Sequence, residues 1–307
     1  MDTIIDFSEA MKLVEEATVA NHAVEGFAKG SLMDPSLPAH VYHADRTALS
    51  CSLLKPLLVS PAHFQAALVK RGSFSPAKDF GSLLHVLLLQ PHLVGQEIAV
   101  YPGMAVERDR EFKKFSIANA NKIVVDEGTF SKALVLGEKI QNTPYKGRPI
   151  GRFLEESQTE VSMYFNDPTT GLRLRVRPDI YHPDISFDLK STRQANKAAF
   201  ARDAIDMGYD LQSFIYTLAR ALFEGSAKSK PFVFIAAETN DPNSVFALEA
   251  GESFMTNGAR KYQECITVYQ ACSAANYWPD LSCSDTLEID HWQQFTPSSA
   301  WRDALKA

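Results

Sequence analysis

The 307-residue chain has no apolar run near the roughly 18–20 residues that a bilayer-spanning helix requires. Its longest apolar stretches, Val86 to Leu89 and Pro231 to Ala237, have the length of core segments. Cysteine is scarce. Cys51, Cys265, Cys272 and Cys283 are too few and too scattered to staple a chain of this size, and no close Cys-x-x-Cys pair occurs among them. Positive charge is in deficit: 31 Lys and Arg against 37 Asp and Glu give a formal charge of −6, which excludes the evenly basic surface of a protein that coats nucleic acid or anionic membrane. A local basic channel is still allowed. The segment Met1 to Asp6 is acidic and lacks the basic start of a signal peptide, so a cytoplasmic protein is expected. Repeats, low-complexity tracts and Gly/Pro-rich linkers are missing as well. The simplest organisation is an N-terminal helical arm over 1–35, broken at Asp34-Pro35-Ser36-Leu37-Pro38, followed by a single domain over 36–307.

What is present is a patterned core. Apolar residues recur at helical spacing over 7–30, 47–58, 61–70, 77–90, 107–120 and 126–141. The period then changes to two. Val161, Met163 and Phe165 alternate with Glu160, Ser162 and Tyr164 as on a half-buried strand; after the turn Asn166 to Gly171, Leu172, Leu174 and Val176 alternate with Arg173, Arg175 and Arg177. A third strand over 185–190 would complete an antiparallel meander. Helices over 194–207, 210–223 and 252–275 and strands over 232–236 and 245–248 follow. The fold class expected is α/β, a central mixed β-sheet flanked by helices.

The chemistry concentrates in Arg177-Pro178-Asp179-Ile180 and Phe187-Asp188-Leu189-Lys190. Asp188 and Lys190 share strand parity, so both leave the core face held by Ile185, Phe187 and Leu189. Two carboxylates and an ammonium then converge, the donor set of a divalent cation beside a phosphoryl group: a metal-dependent phosphodiesterase site. An Asp-x-Lys triplet alone is weak, since about one is expected by chance in a chain this long. Glu111-Phe112-Lys113, Pro183-Asp184 and Pro279-Asp280 are decoys. Context separates them, because Asp188 and Lys190 interrupt an apolar strand whereas Glu111 lies in a charged helical stretch. His85, one helical turn after Gly81 in a nearly apolar helix, is either a satisfied core histidine or a metal ligand. Gln212 and Tyr216, at i and i+4, share a helix face, either as packing or as support for the site.

The ordered set Gly-x-x-x-His, Pro-Asp, Asp-x-Lys and Gln-x-x-x-Tyr resembles the RecB-like branch of the PD-(D/E)xK nucleases. Within it, Tyr42-His43, Ser60-Pro61-Ala62-His63-Phe64, Phe80 to His85, Arg177-Pro178-Asp179 and Phe187 to Thr192 are similar to the exonuclease VIII (RecE) and lambda exonuclease family over roughly residues 40–280. The resemblance implies a PD-(D/E)xK exonuclease domain over 36–307. It further implies a 5′ to 3′ exonuclease that degrades one strand of duplex DNA ends to mononucleotides and leaves a 3′ single strand for a single-strand annealing recombinase. It also implies a homo-oligomeric ring, trimer or tetramer, around the DNA.

Carried over by position, His85, Asp179, Asp188 and the Leu189 carbonyl would bind one or two Mg²⁺, with Mn²⁺ as a substitute that the imidazole ligand favours. Lys190 would orient or activate the attacking water, and Glu160 would reach metal through water. Gln212 and Tyr216 would brace the site, and Arg46 with Ser52 would form a 5′-phosphate pocket. Seven basic residues over 173–202 against three acidic ones leave a local excess of four positive charges. Arg175, Arg177 and Arg193 are therefore read as DNA contacts, against a solvated strand face. Two other readings stand beside this one: a Cas4- or AddB-like nuclease whose four cysteines hold an iron–sulfur cluster, and a non-catalytic DNA-end-binding protein with a nuclease fold.

Overall fold

A computed structural model describes residues 32–69, 76–106, 109–193, 196–226 and 228–280, with 76–79 described by their backbone alone. Two sheets organise it. The larger runs in the order β13 (Val245–Glu249), β12 (Phe232–Glu238), β11 (Ser186–Thr192), β10 (Ile180–Tyr181), β7 (Gln158–Thr159). It is mixed, with β11 and β12 parallel and the other pairs antiparallel. The smaller sheet runs β1 (Leu32–Asp34), β8 (Ser162–Asn166), β9 (Arg173–Val176), β2 (Leu49–Ser50). Central strands covered on both faces read as continuous apolar runs. In β12 the residues Val233, Ile235 and Ala237 enter one core cluster while Phe232, Phe234 and Ala236 enter another. Register then places the chemistry: Asp188 lies opposite Phe234 and Lys190 opposite Ala236, whereas Phe187 and Leu189 join the cluster of Val233 and Ile235.

Helices cover these faces. In chain order they are α1 (Ala39–Ala44), α2 (Cys51–Leu54), α3 (Pro61–Val69), α4 (Pro76–Leu89), α5 (Val94–Glu97), α6 (Arg110–Ala118), α7 (Glu127–Asn142), α8 (Ile150–Glu155), α9 (Lys197–Asp206), α10 (Tyr209–Glu224) and α11 (Glu252–Ala275). Leu84, Leu88 and Leu89 of α4, with Leu136 and Ile140 of α7, pack on Phe187 and Leu189. Removing the Phe187 ring would cost about 3–5 kcal/mol. Close approach needs glycine at two points. A Cβ on Gly81 would stand 3.1 Å from Ser191 Oγ, so Gly81 lets α4 lie on β11. One on Gly258 would fall 2.1 Å from the Asp210 carbonyl oxygen, so only glycine there lets α11 lie this close to α10. Among the described residues no helix is long and apolar enough to cross a membrane.

The α/β class with mixed sheets flanked by helices is as expected, but several local expectations change. The strands over 162–192 do not form one meander: β8 and β9 pair in the smaller sheet, and the chain then crosses to the larger sheet at β10 and β11. Pairing partners from distant sequence, β2 and β12, decide this split. Strand β8 is buried on both faces, not half-buried, because Tyr42 of α1 covers Tyr164 on the second face. The stretch over 47–58 is a short strand, a short helix and a 3₁₀ turn over Lys55–Leu58 in place of one helix. Residues 32–34, assigned by sequence to the arm, form β1 and pair with β8. The helix expected over 7–30 lies outside the described residues. A parallel pair, β3 (Ile98–Tyr101) with β4 (Ile123–Asp126), and a hairpin of β5 (Pro144–Tyr145) with β6 (Arg148–Pro149), had no clear sequence signal.

Candidate active site

Four elements meet at one end of β11. Helix α4 brings His85, the link between β7 and β8 holds Glu160, the link after β9 holds Asp179, and β11 supplies Leu189 and Lys190. Glu160 is not a strand residue: at φ 54° it occupies the left-handed region, anchored by its N–H donating to the Asp179 carbonyl at 3.0 Å. A carboxylate in that sparsely populated conformation marks a constrained position.

The donor atoms converge. His85 Nδ1 stands 3.4 Å from Glu160 Oε1, and Nε2 stands 3.1 Å from the Leu189 carbonyl oxygen and 3.6 Å from Asp179 Oδ2. Ligand atoms of His85, Glu160 and Asp179 all lie within 4.8 Å of one another. Burial works to lower the His85 pKa, yet Asp179 and Glu160 outweigh it and hold the imidazole up at about 9. Asp179 is pushed up to about 7 by burial first and by the Asp188 charge second. Burial would raise Glu160 too, but His85 and Arg177 keep it below the usual range. Three carbonyl or carboxylate groups surround one imidazole, which a proton satisfies in part. A hard cation fits this donor set better, and the residues suit Mg²⁺ or Mn²⁺.

Beside the cluster, Lys190 Nζ pairs with Asp188 Oδ2 at 2.5 Å, and Gln212 Nε2 donates to Asp188 Oδ1 at 2.6 Å. Both Asp188 oxygens are thus engaged, and the converging set of three does not include it. Burial works against the Lys190 charge, but Asp188 and Asp179 hold its pKa above the ordinary lysine value. Its ammonium also lies 4.7 Å from the centre of the Tyr209 ring. Tyr216 shares the face of Gln212, and burial first, then the phenol of Tyr42 and the charge of Asp188, raise its pKa well above the ordinary value, so it remains a neutral phenol.

The other expected DNA contacts separate from this centre. Arg175 and Arg177 are buried and engaged, not free for phosphate. Arg177 donates to Glu160 Oε2 at 2.7 Å, to Ser162 Oγ at 2.5 Å and to the Leu37 carbonyl at 2.9 Å. Arg175 donates to the Ala48 carbonyl at 3.3 Å, and both guanidiniums stack over Tyr42. The period-two arginine pattern is real, but α1 covers that face of the sheet. Arg46 is exposed on the link after α1, and Ser52 is exposed on α2 with its hydroxyl 2.9 Å from that of Ser50. No contact among the described residues brings either to the His85 cluster. Arg193 is exposed just beyond β11.

Sequence reasoning named Tyr42 only within the family resemblance, with no role, and missed Tyr209. Tyr209 was legible in principle, three residues before Gln212 and seven before Tyr216, on the same face of α10. A groove of about 360 Å³ opens over the site, lined by His43, Ser82, His85, Glu160, Lys190 and Tyr209 among others.

Comparison with known proteins follows the same lines. Residues 50–288 match the model of a PDDEXK-like domain of unknown function, DUF3799. A solved structure of a candidate exonuclease from Eubacterium rectale is 15% identical, with 78% of this chain and 87% of that one covered at a TM-score of 0.51, and so shares the fold. A second, of SSO0001, is 13% identical over 72% of this chain and 86% of that one, but its TM-score of 0.28 carries no argument. No curated protein matches the sequence. With more than half its length matched, and with the Pro-Asp and Asp-x-Lys residues side by side in the fold, the chain belongs to the PDDEXK-like family DUF3799, within the PD-(D/E)xK nuclease superfamily.

Proposed function

We propose that the protein is a metal-dependent DNA exonuclease of the exonuclease VIII and lambda exonuclease type. It would hydrolyse one strand of a duplex from the 5′ end to mononucleotides, leaving a 3′ single strand for an annealing recombinase. The observation that carries the reading is the convergence of His85, Glu160, Asp179 and the Leu189 carbonyl beside a charged Lys190. These four would hold Mg²⁺ or Mn²⁺, and Asp188, whose charge already acts on Asp179, would join them by releasing Lys190. A divalent cation bound there supplies Lewis acidity toward a phosphoryl oxygen and lowers the pKa of a bound water.

The chain's own residues do the rest. Lys190 stays protonated, so it acts as a donor that orients water and offsets charge gathering on the phosphoryl oxygens, not as a base. Asp188 and Gln212 fix that ammonium in place. Arg177 aims Glu160 by binding its second oxygen. The 5′ polarity, the ring of three or four subunits, the annealing partner and a cytoplasmic location rest on the family resemblance. The three described cysteines are free and buried, and none belongs to the converging donor set, so the iron–sulfur reading gains no support.

The test uses linear duplexes labelled at the 5′ or 3′ end, with and without 5′-phosphate, beside a closed circle, in Mg²⁺. Digestion from 5′ ends with the circle intact is expected. Cutting of the circle would make the protein an endonuclease, release from 3′ ends would reverse the polarity, and no digestion in Mg²⁺ or Mn²⁺ would remove the nuclease reading.

A further inference from the structure

We propose that a second cavity, contiguous with the catalytic groove, is a nucleotide subsite that takes a deoxynucleoside 5′-monophosphate, the unit an exonuclease releases. The proposal deepens the nuclease reading and rests on it. The cavity holds about 690 Å³, within the range of small-molecule sites of ~300–1,000 Å³. It shares Ser191 and Tyr209 with the groove around His85, so the two open beside each other and a nucleotide released at the metal cluster would leave next to it.

Its walls have the chemistry of a nucleotide. Phe80 from α4 offers aromatic surface, Phe200 from α9 closes the wall, and Tyr209 from α10, whose ring already meets Lys190 and Phe234, adds its edge. Stacking on such faces tolerates any base, because every base has a π-face. The strand that carries Lys190 continues past Ser191 and Thr192 to Arg193, which reaches the cavity with its side chain exposed and in no ion pair among the described residues. That guanidinium suits a phosphate. The far end is held rigid. Thr239 donates through its N–H to the Thr192 carbonyl at 2.9 Å, and Asn240 Nδ2 donates to the Arg193 carbonyl at 3.3 Å, which ties the loops after β12 and β11 together. Asp203, also on the wall, disfavours a bare anion and accepts from the amino or imino groups of a base or from a sugar hydroxyl. An aromatic wall, a guanidinium and one acid therefore select the whole nucleotide over either half.

Calorimetry in EDTA tests this, with dAMP, dTMP, deoxyadenosine and inorganic phosphate as probes on the full chain. Both nucleotides should bind at least about tenfold tighter than deoxyadenosine or phosphate. Arg193→Ala should weaken both nucleotides about tenfold while leaving deoxyadenosine unchanged, which also shows that the variant is folded. Inhibition of DNA digestion by dAMP should weaken by the same factor, and Arg152→Ala, outside the cavity, should change nothing. Nucleotides that bind no better than their parts, or that ignore Arg193→Ala, would overturn the subsite even if DNA is digested normally. Arg193-dependent nucleotide binding in a protein that digests no DNA would instead defeat the nuclease reading and leave the subsite standing.

Discussion

Two buried aspartates in this molecule are treated in opposite ways. Asp210, fully buried in the first turn of α10, is met on all sides: Lys261 Nζ at 2.8 Å, Asn257 Nδ2 at 2.5 Å and the Leu211 N–H at 2.9 Å. Asp179, 8% exposed, receives one backbone N–H, that of Leu189 at 2.7 Å, and otherwise faces an imidazole at 3.6 Å with Asp188 and Glu160 nearby. Burial and like charge push Asp179 up to about 7. A satisfied buried carboxylate is architecture. One that receives a single backbone N–H beside an imidazole and two further carboxylates is where the proposed cation would bind.

The sharpest way to break this contrast is to neutralise each carboxylate in turn. Asp179→Asn should lower DNA hydrolysis by at least about a hundredfold while leaving the urea midpoint without metal unchanged or higher, since it removes a charge that burial disfavours. Asp210→Asn should do the reverse. It should cost about 2 kcal/mol of stability, toward the low side for a buried pair because Lys261 keeps some contact with water, and spare the activity of the folded fraction. Equal effects of the two on activity would abolish the distinction.

Next in size is Lys190→Ala, expected to slow digestion about a hundredfold while duplex binding in Ca²⁺, measured by gel shift, persists. Undiminished digestion would displace Lys190 from its role. The pH dependence of metal stabilisation is smaller. Asp179 and His85 both have folded pKa values raised above their ordinary 3.8 and 6.5, to about 7 and about 9. The stability they confer is full below the ordinary values and is lost as pH rises through the raised ones. The metal-free protein should therefore weaken from pH 4 toward pH 9, and Mn²⁺, which displaces those protons, should raise Tm more at pH 8.5 than at pH 6. A Tm increment that does not change with pH would argue that the cation binds elsewhere. The smallest effect expected is from Tyr209→Leu, which removes the ring under Lys190 and should reduce kcat about fivefold with KM little changed.

Much of this centre was legible because its residues sit on regular elements. Strand parity put Asp188 and Lys190 opposite Phe187 and Leu189, and helical spacing put Gly81 with His85 and Gln212 with Tyr216. What failed were inferences that needed a partner from far along the chain. Arg175 and Arg177 alternate as a DNA-facing stripe would, but Tyr42, more than a hundred residues earlier, covers them. Glu160 reads as the first residue of a strand, and only pairing of β7 with β10 on one side and β8 with β9 on the other leaves it in a left-handed kink aimed at His85. Local pattern reports which face a side chain leaves; it does not report what arrives on that face.

The most direct test of the central claim is calorimetric titration of Mn²⁺ into the protein, Asp179→Asn and Asp210→Asn, in two buffers of different ionisation enthalpy. The account predicts binding with proton release for the unaltered protein and for Asp210→Asn, and loss of that binding for Asp179→Asn. Mn²⁺ binding by Asp179→Asn with unchanged affinity and proton release would contradict it.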